Sequence, residues 1–225
     1  MQKIRIAVRF GVAAAIVASL AIAQDVHPVT GRKIAPVMGA GGAEWLDRGE
    51  REAEEHPDRA LAALNLKSGM LVADVGAGTG YYSIRVAKLV APGGIVYAND
   101  IQEAMLDKLR VNAAAQGVTN IQTVLGTQSE THLPAGKLDL ALLVDVYHEF
   151  SRPQRMLESI RDALKPGGEL VLLEYRKEDP AVPIRPEHKM SVAEVKAEVV
   201  PEGYEFERVV ETMPWQHIIF FRKKG

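Results

Sequence analysis

From residue 70 onward, short apolar runs alternate with helical stretches. Met70 to Val75, Ile95 to Asn99, Ile121 to Leu125 and Leu138 to Val144 read as strands, the last with hardly a polar residue, as expected when both faces are covered. Tyr81 to Val90 and Gln102 to Gln116 read as helices, stopped by Pro92-Gly93-Gly94 and by Gly117. Ser151 to Leu164 reads as a helix with Ser151 as N-cap and Pro153 in its first turn. "KPGG" then turns into a strand from Glu169 to Tyr175, and a proline-rich loop follows at 180–186. Ser191 caps a helix to Val200, and strands Tyr204 to Val210 and Trp215 to Arg222 close the chain as an antiparallel hairpin. Strand–helix alternation with short connections predicts an α/β fold: an open, mainly parallel sheet with helices on both faces.

Upstream the pattern differs. Glu44 to Leu66 is helical in character with a break at Pro57, and residues 24–43, rich in glycine and proline, read as an extended arm. The first 23 residues form a third kind of segment: Lys3, Arg5 and Arg9 precede the uncharged run Phe10 to Ala23, which ends in Ala21-Ile22-Ala23. That is the order of a secretory signal peptide, and at 14 residues the run is shorter than the roughly 20 that a membrane span needs. Cleavage after Ala23 would export the rest; an uncleaved anchor is the alternative, and either would be the chain's only membrane contact. The expected organisation is a signal at 1–23, an arm and capping helix at 24–57, and one domain at 58–225.

Composition removes several classes. A net charge of −2 leaves no basic footprint for nucleic acid, and without cysteine there is no disulfide framework, thiolate metal site or cysteine nucleophile. The six histidines, at 27, 56, 132, 148, 188 and 217, show no metal-ligand spacing, so no metal is expected. Oligomeric state has no signal.

The candidate chemistry begins where the first strand ends, in "LVADVGAGTG". Ligands of open α/β sheets bind at the carboxyl ends of the strands, and glycine there gives positive φ and bare backbone. Asp100 stands at the end of the second strand, 24 residues after Gly76, where an acid takes the hydroxyls of a ribose. The glycine spacing is not the G-x-G-x-x-G of a dinucleotide loop, and Asp74 beside it would repel a pyrophosphate. S-adenosylmethionine (SAM) carries an ammonium, a carboxylate and a sulfonium instead. Asp74 suits the ammonium, and the helix N-terminus beyond Gly80 suits the carboxylate.

With "VADVGAGTGYYS" at 72–83, "VYANDIQEAML" at 96–106, "LDLALLVDVYHEF" at 138–150 and "LKPGGELVLLEY" at 164–175, the chain resembles the class I SAM-dependent methyltransferases over about residues 58 to 222. The resemblance implies a Rossmann-like seven-stranded sheet in the order 3-2-1-4-5-7-6. It implies Asp74, Gly76, Ala77, Gly78 and Gly80 around the methionine part of SAM, Asp100 on the ribose and Ile101 against the adenine. Where relatives often carry an acid after the third strand, this chain has "LGTQSE", and Gln128 takes that place as an adenine acceptor or as a plain loop residue. In "DVYHEF" Asp145 and His148 are the candidate catalytic residues: Asp145 is expected also at the methionine end of the cofactor, and His148 as a base for an oxygen acceptor or as a packing residue. Trp45, Arg48, Glu50 and Arg51 are read as a segment closing over the cofactor, or as a solvated helix with charge pairs such as Asp47–Arg51.

The expected function is SAM-dependent methyl transfer to a small or medium acceptor. A SAM-binding protein of this fold without transfer activity is the alternative, and a nicotinamide dehydrogenase is disfavoured by the glycine spacing. Export sits uneasily with a cofactor made in the cytosol.

Overall fold

The computed structural model describes residues 26–225; the expected signal at 1–23 lies outside them. Among the described residues no helix is long and apolar enough to cross a membrane. The strands are β1 (Leu71–Val75), β2 (Ile95–Asp100), β3 (Ile121–Leu125), β4 (Leu138–Val144), β5 (Leu164–Arg176), the two-residue β6 (Lys189–Met190), β7 (Tyr204–Val210) and β8 (Gln216–Lys223). The helices are α1 (Ala43–Leu46), α2 (Arg51–Glu55), α3 (Pro57–Ala63), α4 (Tyr81–Val90), α5 (Glu103–Ala115), α6 (Pro153–Ala163) and α7 (Val192–Val199). The sheet runs β3-β2-β1-β4-β5-β8-β7, with β6 a short extra pairing on β5. β1 to β5 pair in parallel, and β8 is antiparallel to both β5 and β7. This is the Rossmann-like order expected, the hairpin strands being numbered one higher because of β6.

Both faces of the sheet are covered, which is why its central strands read as unbroken apolar runs. Leu140 and Leu142 of β4, Val171 of β5 and Phe220 of β8 face α3 and α4. Ala141 and Leu143, Leu172 and Phe221 point the other way, onto Leu157 and Ile160 of α6 and Val195 of α7. Each such fully buried leucine or phenylalanine contributes about 1.5–3 kcal/mol.

Two local expectations change. The backbone enters α6 at Arg152, without a side-chain cap; Ser151 lines a cavity instead, and Pro153 opens the helix. Residues 165–168 are looped out within β5, since Leu138 pairs with Leu164 but Leu140 with Glu169. α7 is capped as expected, with Ser191 Oγ accepting from Glu194 N and the Glu194 carboxylate accepting in return from Ser191 N. The arm is not loose: Arg32 donates to both carboxylate oxygens of the buried Glu198 on α7, and His27 and Thr30 reach the same carboxylate.

Candidate functional site

One cavity of about 480 Å³ opens at the carboxyl ends of β1, β2 and β4. The glycine loop forms its wall because β1 must turn sharply into α4. Gly76 sits at φ +76°, and a Cβ there would fall 2.4 Å from Val146 Cγ2. Gly80 sits at φ +91°, and a Cβ would meet Leu109 Cγ at 2.7 Å. Only glycine has both the conformation and the space.

Asp100, at the end of β2, is tied into this loop. Its carboxylate accepts from Gly78 N and from Gln102 N, each at 2.9 Å. Burial raises its pKa and the two amides oppose that. Ile101, Gln102, Thr127 and Gln128 continue the wall. The strand after the switch point delivers Asp145, held at φ +50°. Its Oδ2 accepts from Gln216 Nε2 at 3.1 Å, while the buried Oδ1 has no partner among the described residues. Burial first, then the neighbouring Glu55 and Glu174 carboxylates, push its pKa well above the usual carboxylate value.

Of the residues read from sequence, Gly76, Gly78, Asp100, Ile101, Gln128, Asp145 and His148 line the cavity. Asp74, Ala77 and Gly80 stand behind its wall. Asp74 is buried, with Oδ2 accepting from Ser83 Oγ at 2.5 Å, and desolvation raises it to about 6. In the N-terminal segment, Trp45 and Arg51 line the cavity, joined by Val37, Met38 and Leu46. Arg48 turns away, stacking on Trp45 and pairing with Glu54, and Glu50 is exposed. The expected Asp47–Arg51 pair does not form: Arg51 pairs with Glu55 at 2.9 Å, and Asp47 accepts from Thr79 Oγ1.

Sequence reasoning missed the groups that meet from far apart in the chain. Tyr175 OH donates to Glu55 Oε1 at 3.2 Å beside Arg51, and Glu55 Oε2 has no partner among the described residues. Glu174, fully buried on β5, accepts from Tyr147 N at 2.9 Å and holds His148 Nδ1 at 2.6 Å. With Nδ1 held by Glu174, His148 turns Nε2 toward the cavity and toward His188 Nδ1 at 3.1 Å. Glu149, the next residue, is raised to about 7 by burial. An i,i+4 pair, Arg51 and Glu55, inside an otherwise solvated helix was the one signal available for the first cluster.

This layout, a bare-backbone turn after β1, an acid ending β2 and a polar turn after β4, defines the class of protein. A family model described as a methyltransferase domain matches residues 66–217, and the chain belongs to that family. A SAM-dependent methyltransferase from Aquifex aeolicus superposes with a TM-score of 0.78 at 28% identity, covering 83% of this chain and 99% of that one. The ubiquinone/menaquinone biosynthesis C-methyltransferase of Pseudomonas entomophila is 31% identical over 113 residues, 50% of this chain and 44% of the relative. The match thus spans less than half of that relative's length. The cyclase SpnF shares the fold alone, with a TM-score of 0.63 at 17% identity over 75% of this chain and 80% of its own.

Proposed function

We propose that this chain transfers a methyl group from SAM to a small acceptor held at the His148 end of the cavity. The observation that carries the reading is the run of acids along one wall, Asp100 and then Asp145, beside bare glycine backbone and without a basic phosphate site on the loop. Such a wall suits a cationic nucleoside and repels a pyrophosphate. Asp145 Oδ1, buried and unpaired between Glu55 and Glu174, gains most from a cation beside it. Arg51 donates through Nε and Nη1 to Glu55 and to Leu46 O, and its Nη2 carries no bond among the described residues; it is the group for the ligand's carboxylate. Asp74 acts from behind the loop through its charge. Asp100 serves the ribose, and Ile101 and Gln128 the adenine.

When bound, SAM supplies a methyl carbon already activated by its sulfonium. The chain then has to orient an acceptor in line and exclude water. The apolar rim of Val37, Met38, Trp45, Phe150, Met156 and Ile184 does the second. His148, oriented by Glu174, offers a base at the cavity for an acceptor that carries a proton. A volume near 480 Å³ falls within the roughly 300–1,000 Å³ of small-molecule sites and leaves room for a compact acceptor only.

Calorimetric titration with SAM, S-adenosylhomocysteine and NAD tests this. Both adenosyl ligands are expected to bind in the micromolar range, about −8 kcal/mol, NAD not at all, and Asp100→Ala to abolish binding. A folded protein that binds neither adenosyl ligand overturns the reading. Binding without transfer to any acceptor in a labelled-methyl screen would favour a SAM-binding protein.

A further inference from the structure

The acceptor end holds a side-chain cluster that methyl transfer alone does not require. His148, Glu149 and His188 each present one donor atom, and the three atoms lie within 4.8 Å of one another. All three residues line the cavity, so the cluster is open to a small ion. The two ring nitrogens, His148 Nε2 and His188 Nδ1, are 3.1 Å apart. Imidazole nitrogens that close either share a proton or flank a cation. Tetrahedral coordination with bonds of about 2.0–2.1 Å sets neighbouring ligand atoms about 3.3 Å apart. The histidines already stand within a few tenths of an ångström of that spacing.

The second observation lies on the far side of His148. Its Nδ1 is bound at 2.6 Å to Glu174, which is itself fully buried and fixed by Tyr147 N. A carboxylate on the outer nitrogen fixes the tautomer, holds the ring and raises its basicity, which is what a metal-binding imidazole needs. A base would gain from the same arrangement, but a base does not need a second imidazole and a carboxyl converging on its lone pair.

We propose that His148 Nε2, His188 Nδ1 and the Glu149 carboxylate bind a divalent first-row transition-metal ion of the zinc type, with an open coordination position facing the cavity. The ligand set of two histidines and one carboxylate is that of a site which keeps one position for a water or substrate. That position takes an anionic oxygen or sulfur of the acceptor; this last step rests on the methyltransferase reading, whereas metal binding does not. The inference revises the expectation of no metal. His188 follows His148 by 40 residues, on the far side of the proline-rich loop, and no sequence spacing joins them.

Cobalt(II) is the probe. The full chain, free of any affinity tag, is dialysed against Co²⁺ and then against metal-free buffer. One equivalent is expected to remain, with the visible absorption of a four- or five-coordinate site, and one equivalent of Zn²⁺ should bleach it. His188→Ala and Glu149→Gln are each expected to weaken Co²⁺ binding at least tenfold, while His132→Ala, an exposed histidine elsewhere, leaves it unchanged. Retention well below one equivalent, or equal affinity in a folded His188→Ala or Glu149→Gln variant, overturns the site. SAM titration of the same samples separates the two readings. Lost cobalt binding with intact SAM binding removes only the metal, and the converse removes only the methyltransferase.

Discussion

Asp74→Asn separates what this acid does to the fold from what it does for a ligand. The side chain is 2% exposed, and desolvation lifts its pKa from 3.8 to about 6, helped by Asp100 and opposed by the Ser83 hydroxyl and by Arg51. A carboxyl whose folded pKa is raised favours folding only while it is protonated. The benefit is complete below the unfolded value of 3.8 and is lost as pH rises through about 6. At pH 8 the wild-type chain therefore carries a buried anion that costs about 3 kcal/mol, from a gap of roughly two pH units at 1.36 kcal/mol each. Asparagine carries no such cost. Its amide oxygen still accepts from Ser83, but a hydrogen bond to a neutral acceptor is weaker by about 1 kcal/mol.

The net expectation at pH 8 is a gain of about 2 kcal/mol, or roughly 4–8 °C in Tm for a chain of this size. Thermal and urea melts of both proteins at half-unit intervals from pH 8 to pH 4 are the assay. The gain should hold above about pH 7, shrink through pH 6 and vanish near pH 4. In the same variant SAM should bind about tenfold more weakly, because the charge behind the glycine loop is gone. A variant less stable than wild type at pH 8, or a gain that persists unchanged to pH 4, would refute the reasoning.

Three further outcomes are expected. Arg32→Ala strips the buried Glu198 of its bidentate partner, leaving His27 and Thr30, and should cost about 3 kcal/mol in urea unfolding; a loss under about 1 kcal/mol would show that the arm is not held there. Gly76→Ala places a Cβ 2.4 Å from Val146 Cγ2 at a positive φ and should cost at least about 2 kcal/mol. Adding Val146→Ala should recover the clash but not the backbone strain, so a double-mutant cycle that shows no coupling contradicts this packing. We propose that the exported form begins at Gln24: N-terminal sequencing of the protein from fractionated cells of its native host reads that residue if so, and an intact Met1 in the cytosol sinks export.

The sheet was legible because its evidence is local. β3 and β4 have the bounds their apolar runs predicted, and α4 begins and ends where the glycine loop and Pro92 require. Gly76, Gly78 and Asp100 were legible for the same reason: each sits at the end of a strand, and strand ends of an open α/β sheet converge on one edge. Order along the chain then determines proximity. The rest of the site does not work this way. Glu55 reaches Tyr175 across 120 residues, Glu174 reaches His148 across 26, and His188 reaches His148 across 40. None of these pairs has a spacing that a helix or strand period would mark, and single charged or aromatic residues at such places look like ordinary surface.

Burial distinguishes them. Glu55, Glu174 and Glu198 are at most 1% exposed, a costly place for a carboxylate without a specific partner. Glu174 and Glu198 have theirs: a backbone amide and His148 for the first, Arg32 for the second. Among the described residues Glu55 and Asp145 each keep one buried oxygen unpaired; Asp145 lines the cavity, and Glu55 pairs with Arg51, which lines it too. Fully satisfied buried acids hold the architecture together, whereas half-satisfied ones beside a cavity would gain most from the cationic ligand proposed above. By that distinction Glu198 anchors the arm and Glu174 fixes the backbone and the His148 ring of the turn after β4, whereas the wall between Asp145 and Arg51 is where the proposed charged nucleoside would relieve a cost of burial.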